Sequence, residues 1–148
     1  MDLRVLKDVN ELWRKIYPYL AAQVMEYYSR RHGEVLELGP FSGGLSMELA
    51  RAYSGLNITV AAQDHRVVDY LQKEIEEAGL NRKVEVRWSA LDPLGFGDGL
   101  FDLVLFRGAY FFLDEDGRML REIYRILKED GLAFVGGGYG KGTPRALI

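Results

Sequence analysis

Apolar positions Val9, Leu12, Trp13, Ile16, Leu20, Val24 and Tyr27 or Tyr28 recur every three or four residues, the spacing of one helix face. Asp8 with Glu11 three residues on has the form of a capping box. Pro18 cannot sit inside an undisturbed helix, so the spacing predicts two pieces with Pro18 opening the second. A glycine stop at His32-Gly33 ends it. The period then changes. Residues 34–38 (EVLEL) form a short, largely apolar run closed by glycine, as a buried strand would be. A turn over 39–44 leads to a helix over 45–53, a second strand over 57–62 and a helix over 65–78 that ends at Gly79. Residues 84–88 (VEVRW) read as a third strand, and 89–99, rich in Gly, Pro and Asp, as a loop. The fourth strand, 100–106, has almost no polar residue and should be covered on both faces. A helix over 114–128 should bury Leu120, Ile123, Tyr124 and Leu127, and a fifth strand over 132–135 runs into Gly136-Gly137-Gly138. Strands alternating with helices predict an α/β fold around a doubly wound parallel sheet with right-handed crossovers.

Composition narrows the function classes. The chain has 148 residues, which suits one domain over 1–148, with N-terminal helices in 1–32 and the α/β core in 33–148. The balance of 19 Lys+Arg against 22 Asp+Glu gives a net charge of -3, which is no footprint for nucleic acid. With no cysteine, disulfide, thiolate and sulfur-metal chemistry are excluded, and a reducing cytoplasm is permitted. The N-terminus is too charged for a signal peptide, and the longest apolar stretch, FDLVLFRGAYFFL, is interrupted by Arg107 and far short of a membrane span. Neither His32 nor His65 belongs to a catalytic triad order or a metal-ligand spacing. Glycine is enriched, at 17 residues.

In an open parallel sheet, ligands sit outside the carboxyl ends of the strands where the strand order reverses. The first strand and its turn read Val35-Leu36-Glu37-Leu38-Gly39-Pro40-Phe41-Ser42-Gly43-Gly44. Gly39 permits a sharp turn, and Gly43-Gly44 let the next helix begin close to a ligand. Phe41 occupies the middle glycine position of the dinucleotide pattern, which works against a pyrophosphate lying on the backbone. Glu37 is an acid at the end of an otherwise apolar strand, costly to bury unless it meets a cation or several donors.

These residues resemble the first motif of the class I (Rossmann-like) S-adenosylmethionine-dependent methyltransferases, an acid followed by glycines at alternate positions. Glu37, Gly39 and Gly43 match it, and Phe41 departs from it. The likeness spans roughly residues 34–138. It implies strand order 3-2-1-4-5, without the last two strands that full relatives carry. It also implies that Glu37, Leu38, Gly39, Phe41 and Gly43 lie at the methionine part of the cofactor. An acid at the end of the second strand takes the ribose hydroxyls in this family. Asp64 is favoured for that role over its neighbour Gln63, with an N-cap as its other reading. After the third strand, Ala90 stands where the family often has an acid. Adenine would then meet backbone at Ala90-Leu91, with Ser89 as a donor. Arg107 would stand at the cleft mouth, either positioning an anionic substrate or making a surface ion pair. Tyr17 would close over the cofactor or pack in the core. Tyr110, Phe111, Phe112 and Tyr139 are candidate walls of an acceptor pocket.

The resemblance implies methyl transfer to a small molecule, an in-line displacement that needs alignment and dryness more than a dedicated base. Two other readings stay open: a non-catalytic cofactor-binding or assembly module, and a nicotinamide- or flavin-dependent oxidoreductase. A full relative would continue past the fifth strand, so the chain is expected either to be a shortened form or to have that strand's edge covered by a second copy.

Overall fold

The computed structural model describes residues 2–109 and 113–148. Its elements in chain order are α1 (Leu3–Trp13), α2 (Tyr17–Tyr28), β1 (His32–Leu38), α3 (Gly44–Ala52), β2 (Gly55–Ala62), α4 (His65–Glu77), β3 (Val84–Trp88), β4 (Phe101–Arg107), α5 (Arg118–Ile126) and β5 (Leu127–Gly136). A short 3-10 turn follows at Arg145–Leu147. The strands form one five-stranded sheet in the order β3-β2-β1-β4-β5, with every pairing parallel. The order reverses between β1 and β4, so their carboxyl ends flank the crevice where such sheets hold ligands.

Alternation along the strands sends side chains to two separate cores. Val35, Ile58, Val60, Leu103 and Leu105 pack beneath α1 to α4. Leu36, Leu38, Val104 and Phe106 pack with Met119, Ile123 and Ile126 of α5 and with Leu91, Leu94 and Phe96 of the loop after β3. All of β4 is buried, as expected for a strand covered on both faces. Buried Asp102 fixes the start of β4: it accepts from the Glu34 N–H at 2.8 Å, from Lys128 Nζ at 3.0 Å and from Arg30 at 3.5 Å.

Four sequence expectations are corrected. The second helix ends at Tyr28, with Ser29 as its left-handed cap at φ +57°, and His32-Gly33 open β1 instead of stopping the helix. The first helix starts at Leu3, capped by the Asp2 side chain on the Arg4 N–H; Asp8 lies in its middle. Leu6 takes the buried position, while Leu12 is 74% exposed. The last helix is shorter than 114–128 and turned on its axis. The Asp114 carboxylate accepts from the Arg118 N–H, and Gly117, at φ +66°, caps a helix that opens only at Arg118. That phase buries Met119, Ile123 and Ile126 and leaves Leu120 and Tyr124 exposed. The fifth strand begins at Leu127 and follows β4 with a register shift between Phe101 and Leu103.

The segment after β5 turns back onto α2. Gly140 is buried against the backbone of Tyr19 and Leu20, the Lys141 N–H donates to Gln23 Oε1 at 2.6 Å, and Lys141 Nζ reaches Glu26 at 3.2 Å. Among the described residues no strand lies on the outer side of β5, and no helix is long and apolar enough to cross a membrane.

Candidate functional site

The site is built on the first turn of the parallel sheet. Leu38 turns into the α5-side core, and Glu37 faces the α1–α4 side. Gly39 has φ +107°, and a Cβ there would strike the Arg107 carbonyl at 2.5 Å and the Phe106 ring at 2.8 Å, so only glycine lets β1 turn this close to β4. Gly43 has φ +104° and is buried against Leu71. Phe41 is half-buried and, with Pro40, lies over Gly108.

Glu37 is fully buried. Its Oε2 accepts from the N–H of Gly43 at 3.0 Å and of Ser46 at 3.1 Å, donors left over at the start of α3. Its Oε1 is buried and has no hydrogen-bond partner, and the same holds for Ser46 Oγ and Arg107 Nη1. Burial pushes the Glu37 carboxyl up, against the opposing pull of the Ser46 and Gly43 donors and the nearby Arg107 charge.

Arg107 does not stand at the cleft mouth. It is 6% exposed, its guanidinium 4.5 Å from the Trp13 ring centroid and 5.0 Å from that of Tyr17. Among the described residues it makes no ion pair within 4.0 Å, which removes the surface-pair reading. Alternation along β4 explains the burial: Leu103, Leu105 and Arg107 share the face under α1 and α2. Tyr17 is buried with its ring over Gly44, and its hydroxyl donates to Asn10 Oδ1 at 2.6 Å. Asn10 Nδ2 in turn donates to the Ser42 carbonyl of the turn at 3.3 Å. Trp13 stacks on Tyr139 at 5.1 Å. Burial pushes the Tyr17 hydroxyl above its ordinary value, and the Arg107 charge opposes this. Tyr110, Phe111 and Phe112 lie outside the described residues.

The opposite end of the crevice is more open. β2 ends at Ala62, so the strand end carries no acid. Asp64 sits two residues on and caps α4, accepting from the Arg66 N–H at 2.9 Å while its second oxygen meets Arg66 Nη2 at 2.6 Å. Arg66 holds the Asp64 carboxyl down to about 2. Gln63 is exposed, and its carbonyl accepts from Trp88 Nε1 at 2.7 Å; Trp88 stacks on His65 at 5.6 Å. Ser89 is buried and already used: its hydroxyl donates to the Ala90 carbonyl at 2.7 Å and accepts from the Gly95 N–H at 3.0 Å. Ala90 is half-buried, and Leu91 is in the core, bridged to Leu94. The loop is pinned to α5 by Arg125, which donates to the Leu94 and Phe96 carbonyls and pairs with Asp98 and Glu122.

The fold thus brings Glu37, Gly39, Gly43, Tyr17 and Arg107 together at one end of the crevice, and Gln63, Asp64, Ser89, Ala90 and Leu91 around the other strand ends. Sequence reasoning missed Asn10, Ser46 and the role of Trp13. The signal was a polar residue at position 10 on the helical stripe that holds Trp13, and a serine three residues into the helix after the turn. No group of three or more metal-ligating side chains occurs among the described residues.

Residues 36–135 match the family model described as a methyltransferase domain. Over 97 residues the chain is 29% identical to a sarcosine/dimethylglycine N-methyltransferase of Halorhodospira halochloris, covering 66% of this chain and 34% of that protein. Over 98 residues it is 31% identical to a glycine/sarcosine/dimethylglycine N-methyltransferase of Actinopolyspora halophila, covering 66% of this chain and 17% of that protein. The chain therefore spans about a third and about a sixth of the length of these two curated relatives. A solved structure from Methanococcus maripaludis, described as an S-adenosyl-L-methionine-dependent methyltransferase, superposes with TM-score 0.83 at 28% identity, over 96% of this chain and 65% of that one. Sheet order, glycine turn and family match agree, and the chain belongs to the class I, Rossmann-like family of S-adenosylmethionine-dependent methyltransferase domains.

Proposed function

We propose that residues 1–148 form one domain that binds S-adenosylmethionine and supports methyl transfer to a small-molecule acceptor in the cytoplasm. One observation carries the reading: a fully buried carboxylate at the end of β1, tied by one oxygen to the glycine turn, presents its other oxygen without a partner. Leaving such an acceptor unmet is expensive unless a donor on a ligand meets it. The cofactor's α-ammonium is such a donor, and a neighbouring buried guanidinium supplies the opposite charge for its carboxylate end. The methionine end therefore fits this chain.

In this reading Glu37 orients the methionine end, while Leu38, Gly39, Phe41 and Gly43 form the floor beneath it. Tyr17, through Asn10 and the Ser42 carbonyl, holds the N-terminal helices down over the turn and keeps water out. Gln63 or Asp64 meets the ribose, and the backbone at Ala90-Leu91, with the wall around Ser89, meets adenine. The bound sulfonium supplies an activated methyl group, so this chain's task is alignment. The acceptors to test first are small amines and amino acids, because the relatives are named for sarcosine and dimethylglycine.

Calorimetry with S-adenosylmethionine and S-adenosylhomocysteine tests the reading, and absence of heat at millimolar ligand in folded protein rejects it. Asp64→Asn, which keeps a good N-cap, should weaken S-adenosylhomocysteine binding if Asp64 takes the ribose; Gln63→Ala should do so if Gln63 does. A second reading, binding without turnover, draws on the ribose end, where the Asp64 carboxylate is already held by Arg66. Binding with no methylated product across the acceptor panel would favour it. We also propose that a second copy covers the outer edge of β5. A monomer by light scattering at assay concentration would contradict that.

A further inference from the structure

The molecule carries a second concavity, on the helix-covered side of the sheet. It is a cleft of about 790 Å³ between α1, α3 and α4, a volume in the range that holds a small molecule. It meets the crevice residues at Asn10, Tyr17 and Gly44, and runs from there along the facing sides of α3 and α4 toward Arg51 and Glu77. Its floor is apolar: Leu71 is buried, and Met47 packs against the same core. Its walls are charged, and the crevice uses none of those charges.

Most of these wall charges are paired. Arg14 meets Glu11 at 2.5 Å, Arg51 meets Glu48 at 3.9 Å and Lys73 meets Glu77 at 3.8 Å. Lys7, Asp8 and Glu74 are left, and none of them forms an ion pair among the described residues. Two anions against one cation leave the cleft one positive charge short. Lys7 does not answer a carboxylate; its ammonium lies over the Tyr70 ring, 4.9 Å from the centroid. Tyr70 is half-buried, and burial first, then the Glu74 charge, pushes its hydroxyl above the ordinary value, so the ring stays neutral. An aromatic face with carboxylates in the same cleft suits an alkylated ammonium ion, and here the chain's own lysine occupies the place. Lys7 is exposed on a flexible stem, so it can swing out to water at small cost.

We propose that this cleft is a second small-molecule site, which takes an alkylated ammonium ion of single positive charge in place of Lys7 on the Tyr70 ring. The alkylated head stacks on the ring, its alkyl groups rest on Met47 and Leu71, and Asp8 and Glu74 balance the charge. A lysine ammonium is strongly hydrated and an alkylated one less so, which favours the exchange. A neutral molecule of the same shape keeps the apolar contact but leaves both carboxylates unmatched, and an anion meets them with like charge. The site uses neither Glu37 nor Arg107, so it stands apart from the cofactor reading.

Choline and its neutral isostere dimethylbutanol (carbon in place of nitrogen) are titrated at fixed ionic strength into the isotopically labelled full chain, and the backbone amide shifts are mapped by NMR. Choline should bind on the order of 10-fold more tightly than the isostere, with the largest shifts at Met47, Tyr70 and Glu74. Lys7→Ala removes the internal competitor and should tighten choline several-fold, a gain that misfolding cannot imitate. Tyr70→Leu should bring choline down to the affinity of the isostere. Equal binding of the two ligands, binding of neither, or shifts centred on the crevice at Gly39 and Ala90 overturns the proposal. So does a Lys7→Ala protein that binds choline no better than wild type. The wild-type comparison and the Lys7→Ala gain decide the matter even where Tyr70→Leu fails to fold.

Discussion

Gly44 opens α3 beneath the Tyr17 ring, and a methyl group there is a wedge between the glycine turn and the N-terminal helices. A Cβ on Gly44 would collide with the ring, with Cζ at 2.5 Å and the hydroxyl oxygen at 2.8 Å. Those atoms belong to a buried side chain held by Asn10 at 2.6 Å and stacked near Arg107, so the ring cannot swing away freely. Overpacking of this kind costs about 1–3 kcal/mol. Loss of the Tyr17–Asn10 hydrogen bond adds about 1 kcal/mol, and the better helix propensity of alanine returns about 1 kcal/mol. The net expectation for Gly44→Ala is a loss of about 1–3 kcal/mol, or a melting temperature roughly 3–10 °C lower for a chain of this size. Urea unfolding followed by tryptophan fluorescence reads it well, since Trp13 lies between Arg107 and Tyr139. In a Tyr17→Ala background the same substitution should become neutral or stabilising by up to about 1 kcal/mol, because the clash is gone and only propensity remains. An equal cost in both backgrounds, or none in the wild type, would refute the wedge.

Other perturbations reach different parts of the molecule. Burial pushes Glu37 up, so its contribution to stability is present below the unfolded carboxylate value of about 4.5 and is lost as pH rises above it. Glu37→Gln should therefore gain on wild type in melting temperature as pH rises from about 4.5 toward 7, while losing nucleoside binding. Asp102 behaves oppositely: burial raises its pKa, but the Glu34 N–H, Lys128 and Arg30 bring it below 3.8, so its contribution holds above that value and is lost as pH falls. Asp102→Asn should flatten the acid limb of a melting-temperature profile. Arg125→Met leaves the Leu94 and Phe96 carbonyls without their donor, and should cost about 1–3 kcal/mol, with faster hydrogen exchange at 94–98 as its signature. Leu103→Ala, at a fully buried position of the central sheet, should cost about 2–5 kcal/mol in urea titration with an unchanged slope.

Much of this architecture is written locally. The apolar runs of β1, β2 and β4 are short, bounded by turn residues, and separated by helical periods, so they declare a parallel sheet without any tertiary information. Glu37 declared itself as well, being an acid that an apolar strand would not otherwise carry. The last helix was less legible because Asp114 and Gly117 choose its first residue, and moving that start changes the face that meets the sheet. Residues 128–130 (KED) read as helix end or loop, yet β5 takes them as its exposed start beside β4. The proposed ribose end depended on one residue of register. Asp64 caps α4, which leaves Ala62 as the strand terminus and Gln63 between them. Arg107 was illegible for a different reason: its burial needs Trp13 and Tyr17, some ninety residues earlier in the chain, to arrive on the same strand face.

The two ends of the crevice make a consistent division of labour. At the proposed ribose end the polar groups satisfy each other, Asp64 with Arg66, Ser89 with Ala90 and Gly95, and Trp88 with Gln63, so a ligand there must compete with contacts already made. At the proposed methionine end the chain does the reverse. Glu37 and Arg107 are of opposite charge, on neighbouring strands and buried, and a direct ion pair between them would satisfy both. The turn donors and the aromatic rings hold them apart instead. Unpaired charges in a low-dielectric environment lower fold stability, and the same environment strengthens their attraction for a matching ligand. Selectivity should therefore reside in the amino-acid part of the ligand, with the nucleoside part contributing area and shape. A nucleoside without the amino-acid chain, such as adenosine, is then expected to bind far more weakly than S-adenosylhomocysteine, and Gly44→Ala should narrow that gap by lifting Tyr17 and the helices above the charged pair.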